Sequence, residues 1–151
     1  MEMWKIRPFI LQDQPIARQL ILEGLGGHFG FIDETINPDL DDIWQQYVAS
    51  GDLFVVVESD GMIVGTGALV EENGDGINGR LLRMSVRPSH QRQGIGRGLV
   101  RHLCQQARER GYKHLLVETN NDWFDAIGLY ESCGFREYDR DTESVYLQLT
   151  L

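Results

Sequence analysis

Cysteine is scarce in this chain, which limits what cysteine chemistry could build. Cys104 and Cys133 are too few for a disulfide framework or a zinc site, and no metal is expected. Cys104 reads as helix packing. Cys133 just precedes a glycine and lacks a visible partner for thiol catalysis. Long apolar runs are missing too, so no membrane span or membrane partner is expected. Near the start, Trp4-Lys5-Ile6-Arg7 breaks up any signal-peptide core, which makes a cytoplasmic protein the expectation. The chain shows no linker, repeat or low-complexity tract. One domain over residues 1–151 is expected, with 42% apolar residues to form its core.

Positive charge is also in short supply, with 14 bases against 23 acids and a net charge of −9. The deficit is uneven. Between Arg80 and Arg110 lie eight of the bases and a single acid, Glu109. Such a split predicts a basic patch for an anion and an acidic surface elsewhere. Nucleic acid is disfavoured as a partner, because most of that surface would repel it. A cationic substrate such as an amine is compatible with the acidic remainder, and plain solubility explains it equally.

In chain order, Trp4 to Pro8 alternates like a strand. Asp13 is placed to cap a helix with Pro15 in its first turn, running to Leu22 and ending at Gly24. The stretch from Gly24 to Phe31 is too glycine-rich for a regular element. Asn37-Pro38 starts a second helix that buries Leu40, Ile43, Trp44, Tyr47 and Val48 and closes at Gly51. Leu53–Glu58 and Met62–Glu71 form a hairpin turning at Asp60-Gly61. Gly65 and Gly67 mark where something approaches the second strand. A strand ending at Val86 leads into a helix that finishes at Arg110-Gly111. The strand His114–Thr119 follows, then a helix capped by Asp122 and ended by Gly134, then strands at Phe135–Tyr138 and Ser144–Leu149. An exposed last strand could pair two chains as a homodimer.

The stretch from Arg83 to Gly98 organises this pattern. Leu82, Met84 and Val86 alternate with Arg83, Ser85 and Arg87, and Pro88 stops the strand. Gly94, Gly96 and Gly98 then open a helix with Ile95, Leu99, Leu103 and Ala107 on one face. Glycines at a helix N-terminus bare backbone N–H groups, and the helix dipole favours an anion there. A phosphate site follows. It is not a P-loop, which needs Lys and then Ser or Thr after its second glycine. Nor is it a dinucleotide fingerprint, whose third glycine would stand at Leu99. Gln91-x-x-Gly94-x-Gly96 instead resembles the acetyl-CoA loop of the GNAT acetyltransferase superfamily, Q/R-x-x-G-x-G/A. Tyr130-Glu131-Ser132-Cys133-Gly134-Phe135 resembles that superfamily's Y-x-x-x-G-F.

The resemblance covers nearly the whole chain and implies a mixed α/β fold. Its central, mostly antiparallel sheet has about seven strands flanked by about four helices, with the fourth and fifth strands splayed around pantetheine. It also implies N-acetyl transfer from acetyl-CoA to a primary amine by direct attack in a ternary complex. In the segment Met84-Ser85-Val86, backbone groups of Met84 and Val86 would pair with pantetheine, and a main-chain N–H there would support the oxyanion. The loop from Gln91 would receive the pyrophosphate on amides of Gln93, Gly94, Ile95, Gly96, Arg97 and Gly98, with Arg92 and Arg97 adding charge. Tyr130 would protonate the leaving thiolate, and Glu118 or His28 would take the proton of the amine. The family's pantetheine-binding asparagine is replaced by Trp123, which packs on the cofactor or anchors its helix. His28, Phe29, Phe31, Asp33 and Glu34 fall in the acceptor segment. A non-catalytic acyl-CoA sensor would share the loop without needing Glu118 or Tyr130, and a nucleotide-binding regulator would prefer ATP or NAD.

Overall fold

In a computed structural model the described residues are 3–29 and 37–151, those at 26–29 by backbone alone. Phe31, Asp33 and Glu34 of the acceptor segment lie outside them, as do the side chains of His28 and Phe29. Runs of alternating apolar residues form seven strands: β1 Trp4–Pro8, β2 Leu53–Ser59, β3 Met62–Glu71, β4 Asn78–Val86, β5 His114–Asn120, β6 Arg136–Arg140 and β7 Ser144–Thr150. Their hydrogen-bonded order is β1-β2-β3-β4-β5-β7-β6. β4 and β5 run parallel, whereas β1/β2, β5/β7 and β6/β7 are antiparallel, so the sheet is mixed. The α-helices are α1 Gln14–Phe29, α2 Ile95–Glu109 and α3 Phe124–Ser132. Among the described residues no helix is long and apolar enough to cross a membrane. The chain forms two compact units, Met1–Ala68 with Arg83–Gly96, and Leu69–Leu82 with Arg97–Leu151.

In the first unit, Phe54 meets Phe9 edge-on at 5.4 Å and Tyr47 at 5.2 Å, within an otherwise aliphatic core. Asp13 does not cap α1 as expected. It sits in a short 3-10 turn, Leu11–Asp13, where its carboxylate accepts the Ile10 N–H at 2.9 Å and two bonds from Arg7 at 2.8 and 2.9 Å. α1 also overruns its expected stop at Gly24 and continues to Phe29. Burial of Ala17, Leu20 and Ile21 anchors it, and packing outweighs the roughly 1 kcal/mol that a glycine costs a helix.

The expected second helix is broken. A 3-10 turn, Pro38–Asp41, ends at an extended Asp42, and π-type turns resume over Trp44–Val48. The Gln14 side chain mends the break. Its Nε2 donates to the Leu40 carbonyl at 2.7 Å, and its Oε1 accepts the Ile43 N–H at 2.9 Å. Leu40, Ile43 and Tyr47 are buried as expected, but the changed winding turns Trp44 outward, 37% exposed.

In the second unit, α2 buries Leu99, Leu103 and Ala107, with Cys104 beside them as expected. Asp122 does not cap α3. Trp123 occupies that position without a side-chain cap, and Asp125 accepts the Ala126 N–H at 2.9 Å. The last strand, β7, is not an edge, because it lies between β5 and β6. The edge strand beside β7 is β6, exposed at all five residues and bulged between Glu137 and Asp139, a form that discourages strand addition.

Candidate active site

The geometry begins at β4. Arg83 takes φ 55° inside the strand, so the regular alternation read from Leu82 to Arg87 does not hold, and residues 82–86 are all half-buried. A left-handed backbone costs an ordinary residue roughly 1–2 kcal/mol, so neighbours must impose it. Three side chains do. Thr66 Oγ1 donates to the Arg83 carbonyl at 2.7 Å. Arg83 Nε and Nη2 donate to the two Asp39 oxygens at 2.9 and 2.6 Å, and Tyr47 Oη donates to Asp39 at 2.6 Å. Burial alone would raise the Asp39 pKa, yet the bonds from Arg83 and Tyr47 hold it below the usual carboxylate range. Burial and the same carboxylate push the Tyr47 hydroxyl well above its ordinary value. Sequence reasoning missed this cluster. Its only trace was the acid-rich stretch Asp39-Leu40-Asp41-Asp42, which says nothing of a partner 44 residues on.

Two close approaches pack β4 further. A Cβ on Gly65 would lie 3.0 Å from the Ser85 carbonyl, which explains one of the two glycines, Gly65 and Gly67, expected to mark a close approach to β3. Arg87 ties the strand end to β3, its N–H donating to Val64 O at 2.8 Å and its Nε to Ile63 O at 2.9 Å. On the other side, the register of β4 with β5 covers only Asn78–Arg80 against His114–Leu116. Met84, Ser85 and Val86 lie beyond it.

After the 3-10 turn Pro88–His90, Gln91 Nε2 donates back to the Val86 carbonyl at 3.2 Å and closes the loop on the strand it leaves. Arg92 and Gly94 are both left-handed, at φ 63° and 85°, and Gln93 lies exposed between them. Alternating left-handed residues turn successive N–H groups to one side, the arrangement of an anion nest. α2 then starts at Ile95, whose buried side chain pins the helix. The N–H groups of Ile95, Gly96 and Arg97 open the first turn and have no partner within the helix.

Much of the expected basic patch is committed elsewhere. Arg80 is paired with Glu72, Arg83 with Asp39, and the Arg87 guanidinium with the Ile63 carbonyl; Arg97 Nη2 donates to Ser132 Oγ at 3.0 Å. Arg92 is exposed and makes no bond with another described residue.

The second unit carries the expected proton-transfer residues. Tyr130 is 5% exposed, packs edge-on against Phe135 at 5.6 Å, and its hydroxyl has no hydrogen-bond partner among the described residues. Burial, with a smaller contribution from Cys133, pushes its pKa well above the ordinary tyrosine value. The surrounding motif stops a helix. Phe135 N–H reaches Tyr130 O at 3.1 Å and Gly134 N–H reaches Glu131 O at 3.0 Å, with Gly134 at φ 100°. These are the two bonds of a Schellman motif, and the Tyr130–Phe135 contact is its apolar clasp. Glu118 is exposed on β5, opposite Tyr146 of β7, and accepts a bond from Ser144 Oγ at 3.2 Å. It does not hydrogen-bond Tyr130. The Trp123 carbonyl accepts the Ile127 N–H at 3.1 Å, so its backbone serves the first turn of α3.

Comparison with known proteins gives a consistent picture. The family model for the acetyltransferase (GNAT) family matches residues 19–135. Human N-acetyltransferase 8B is 35% identical over 123 residues, 79% of this chain and 54% of that protein. The uncharacterized N-acetyltransferase YjgM of Escherichia coli is 33% identical over 140 residues, 89% of this chain and 83% of that one. The chain spans about half the length of the mammalian relatives it matches. Among solved structures, a GNAT-family acetyltransferase from Staphylococcus aureus Mu50 aligns with TM-score 0.87 at 22% identity, covering 98% of this chain and 99% of that one. One from Elizabethkingia anophelis with acetyl-CoA bound aligns with TM-score 0.76 at 20% identity, covering 100% of both chains. At those identities the likeness is one of fold.

Proposed function

The chain belongs to the acetyltransferase (GNAT) family, and from that premise we propose that residues 1–151 act as one domain moving an acetyl group from acetyl-CoA to a primary amine. The observation that carries this reading is the loop in which left-handed Arg92 and Gly94 precede the bare first-turn amides of α2. Those amides, from Gln93 to Gly98, receive the pyrophosphate, and exposed Arg92 adds charge. Arg97 adds charge beside them while one of its five N–H donors is held by Ser132. Main-chain groups of Met84 and Val86, beyond the register with β5, take pantetheine as an added strand, with Ser85 between them.

The reaction is direct attack in a ternary complex. The amine nitrogen bonds to the thioester carbon, the carbonyl oxygen gains charge beside a main-chain N–H of Met84 or Val86, and the carbon–sulfur bond then breaks. Tyr130 supplies the proton that the departing thiolate takes up. Glu118 removes the proton that the attacking ammonium must lose, directly or through water, and His28 is the alternative base. The acceptor enters along the segment holding His28, Phe29, Asp33 and Glu34, whose aromatic and acidic character suits an amine with an apolar part. Trp123 packs against the cofactor.

Calorimetry with coenzyme A tests the docking. Binding is expected for the wild type, and Gly94→Val is expected to weaken it at least tenfold. No atom lies within 4 Å of a Cβ at Gly94, so the damage is to the φ 85° backbone alone, and losing one charge-assisted amide bond costs about 1.5–3 kcal/mol. Equal heats from both proteins would remove the loop from the site. Steady-state rates test the base: Glu118→Gln is expected to lower kcat at least tenfold, and an unchanged kcat would remove Glu118 from that role.

A further inference from the structure

The cluster around Arg83 has a use that neither the loop nor the proton-transfer residues supply. Arginine does not adopt a left-handed backbone inside a strand without help. Here the help comes from both directions. Thr66, fully buried, holds the Arg83 carbonyl, and Asp39 grips the guanidinium through both of its oxygens while Tyr47 braces Asp39. A two-point arginine–carboxylate pair is geometrically rigid. Both members keep 20% of their side-chain surface exposed, and such a half-desolvated pair contributes little net stability relative to apolar side chains. Fold stability alone therefore does not explain the arrangement.

Geometry does. In a regular strand, N–H groups point alternately to the two edges, and a shift of one residue reverses every direction that follows. The left-handed Arg83 is such an irregularity, and Met84, Ser85 and Val86 come immediately after it. Were Arg83 to relax into ordinary strand, the N–H groups of those residues would be aimed elsewhere. Asp39 itself lies in Pro38–Asp41, close behind the acceptor segment in the chain.

We propose that Asp39 and Arg83 are positioning residues for acetyl transfer: their ion pair, braced by Tyr47, fixes the edge to which the Met84 and Val86 N–H groups point. The inference rests on the acetyl-transfer reading and adds to it residues that touch neither coenzyme nor amine. Asp39→Asn keeps the shape and removes the charge that holds the guanidinium. A small misplacement of an oxyanion donor is felt mainly in the transition state.

The test uses the full chain, with Asp39→Asn, Asp39→Glu and Arg83→Lys beside the wild type. Coenzyme A affinity is read by calorimetry, kcat by thiol release, and the Met84 and Val86 amides by proton–nitrogen correlation spectra. Asp39→Asn is expected to lower kcat about tenfold or more, to weaken coenzyme A binding because Met84 and Val86 also pair with pantetheine, and to displace both amide resonances. Asp39→Glu should recover part of the rate, and Arg83→Lys, which loses the fork, should not. A folded Asp39→Asn protein with wild-type kcat and unmoved amides overturns the proposal. Should Asp39→Asn fail to fold, Tyr47→Phe replaces it. That variant removes the brace and leaves the ion pair, so a smaller loss of kcat supports the proposal and an unchanged kcat with unmoved amides overturns it. A wild type that binds coenzyme A yet acetylates no amine sinks the acetyl-transfer reading instead, and the amide resonances still report on the clamp.

Discussion

Tyr130→Phe is expected to lower kcat about a hundredfold while leaving the affinity for acetyl-CoA within about twofold, the pattern of a group used only as the thiolate departs. The substitution is unusually clean. The hydroxyl bonds to no described residue, so its removal orphans nothing, and the ring contact with Phe135 survives because phenylalanine presents the same face. Stability should hold, since the Tyr130 hydroxyl is not among the fully buried polar atoms left without a partner and no described residue loses a bond to it. Burial also keeps the phenol protonated at any ordinary pH, so the rate loss should be uniform across the neutral range rather than confined to one limb. The prediction separates two accounts of the same residues. If Y-x-x-x-G-F exists only to end α3 with a Schellman motif, the phenylalanine variant does that equally well and kcat stays put. Steady-state rates with a saturating amine, alongside calorimetry with acetyl-CoA, distinguish them.

That ambiguity shows what was legible in the sequence. Features fixed by neighbours along the chain were readable. β1 begins and ends where its alternation does, the hairpin turns at Asp60-Gly61, and the loop from Gln91 precedes a helix whose apolar face is buried as expected. Features fixed through space were not. The second helix breaks at Asp42 because Gln14, far back in the chain, supplies both missing bonds at the break. Arg83 looked like the polar partner in a strand alternation, but its backbone is left-handed and its side chain is paired with a carboxylate 44 residues earlier. The basic run from Arg80 to Arg110 looked like a patch because sequence shows charges without their partners. Glu72 and Asp39 claim two of those charges. α1 outran its glycines because packing decided its length, which local propensity could not report. The candidate site divides the same way: the loop was visible as a spacing, and the cluster around β4 left only an acid-rich stretch that named no partner.

The same logic makes Arg7→Met the substitution with the largest expected effect on folding, about 3 kcal/mol. Asp13 has only 6% of its side chain exposed and depends on Arg7 for two bonds, while the Ile10 N–H supplies a third. Burial alone would push the Asp13 pKa up; the bonds from Arg7 and Ile10 reverse that and hold it below the ordinary carboxylate value. In the wild type this lowered pKa contributes stability that is complete above about pH 4, the unfolded value, and is lost as pH falls through the folded one. In Arg7→Met the sign inverts. Burial then dominates, the folded pKa rises above the unfolded one, and the penalty present at neutral pH is relieved as Asp13 takes up a proton. The difference in urea unfolding free energy between wild type and variant should therefore be largest at pH 7 and should shrink by pH 4. Glu58, which also bonds Arg7, is more exposed and keeps Lys5 as a neighbour, so it adds less. The double variant Arg7→Met/Asp13→Asn removes the stranded charge and keeps an acceptor for the Ile10 N–H, and most of the loss should return. A pH-independent difference, or a double variant no better than the single one, would mean that the packing of the Arg7 stem, rather than its charge, holds this corner together.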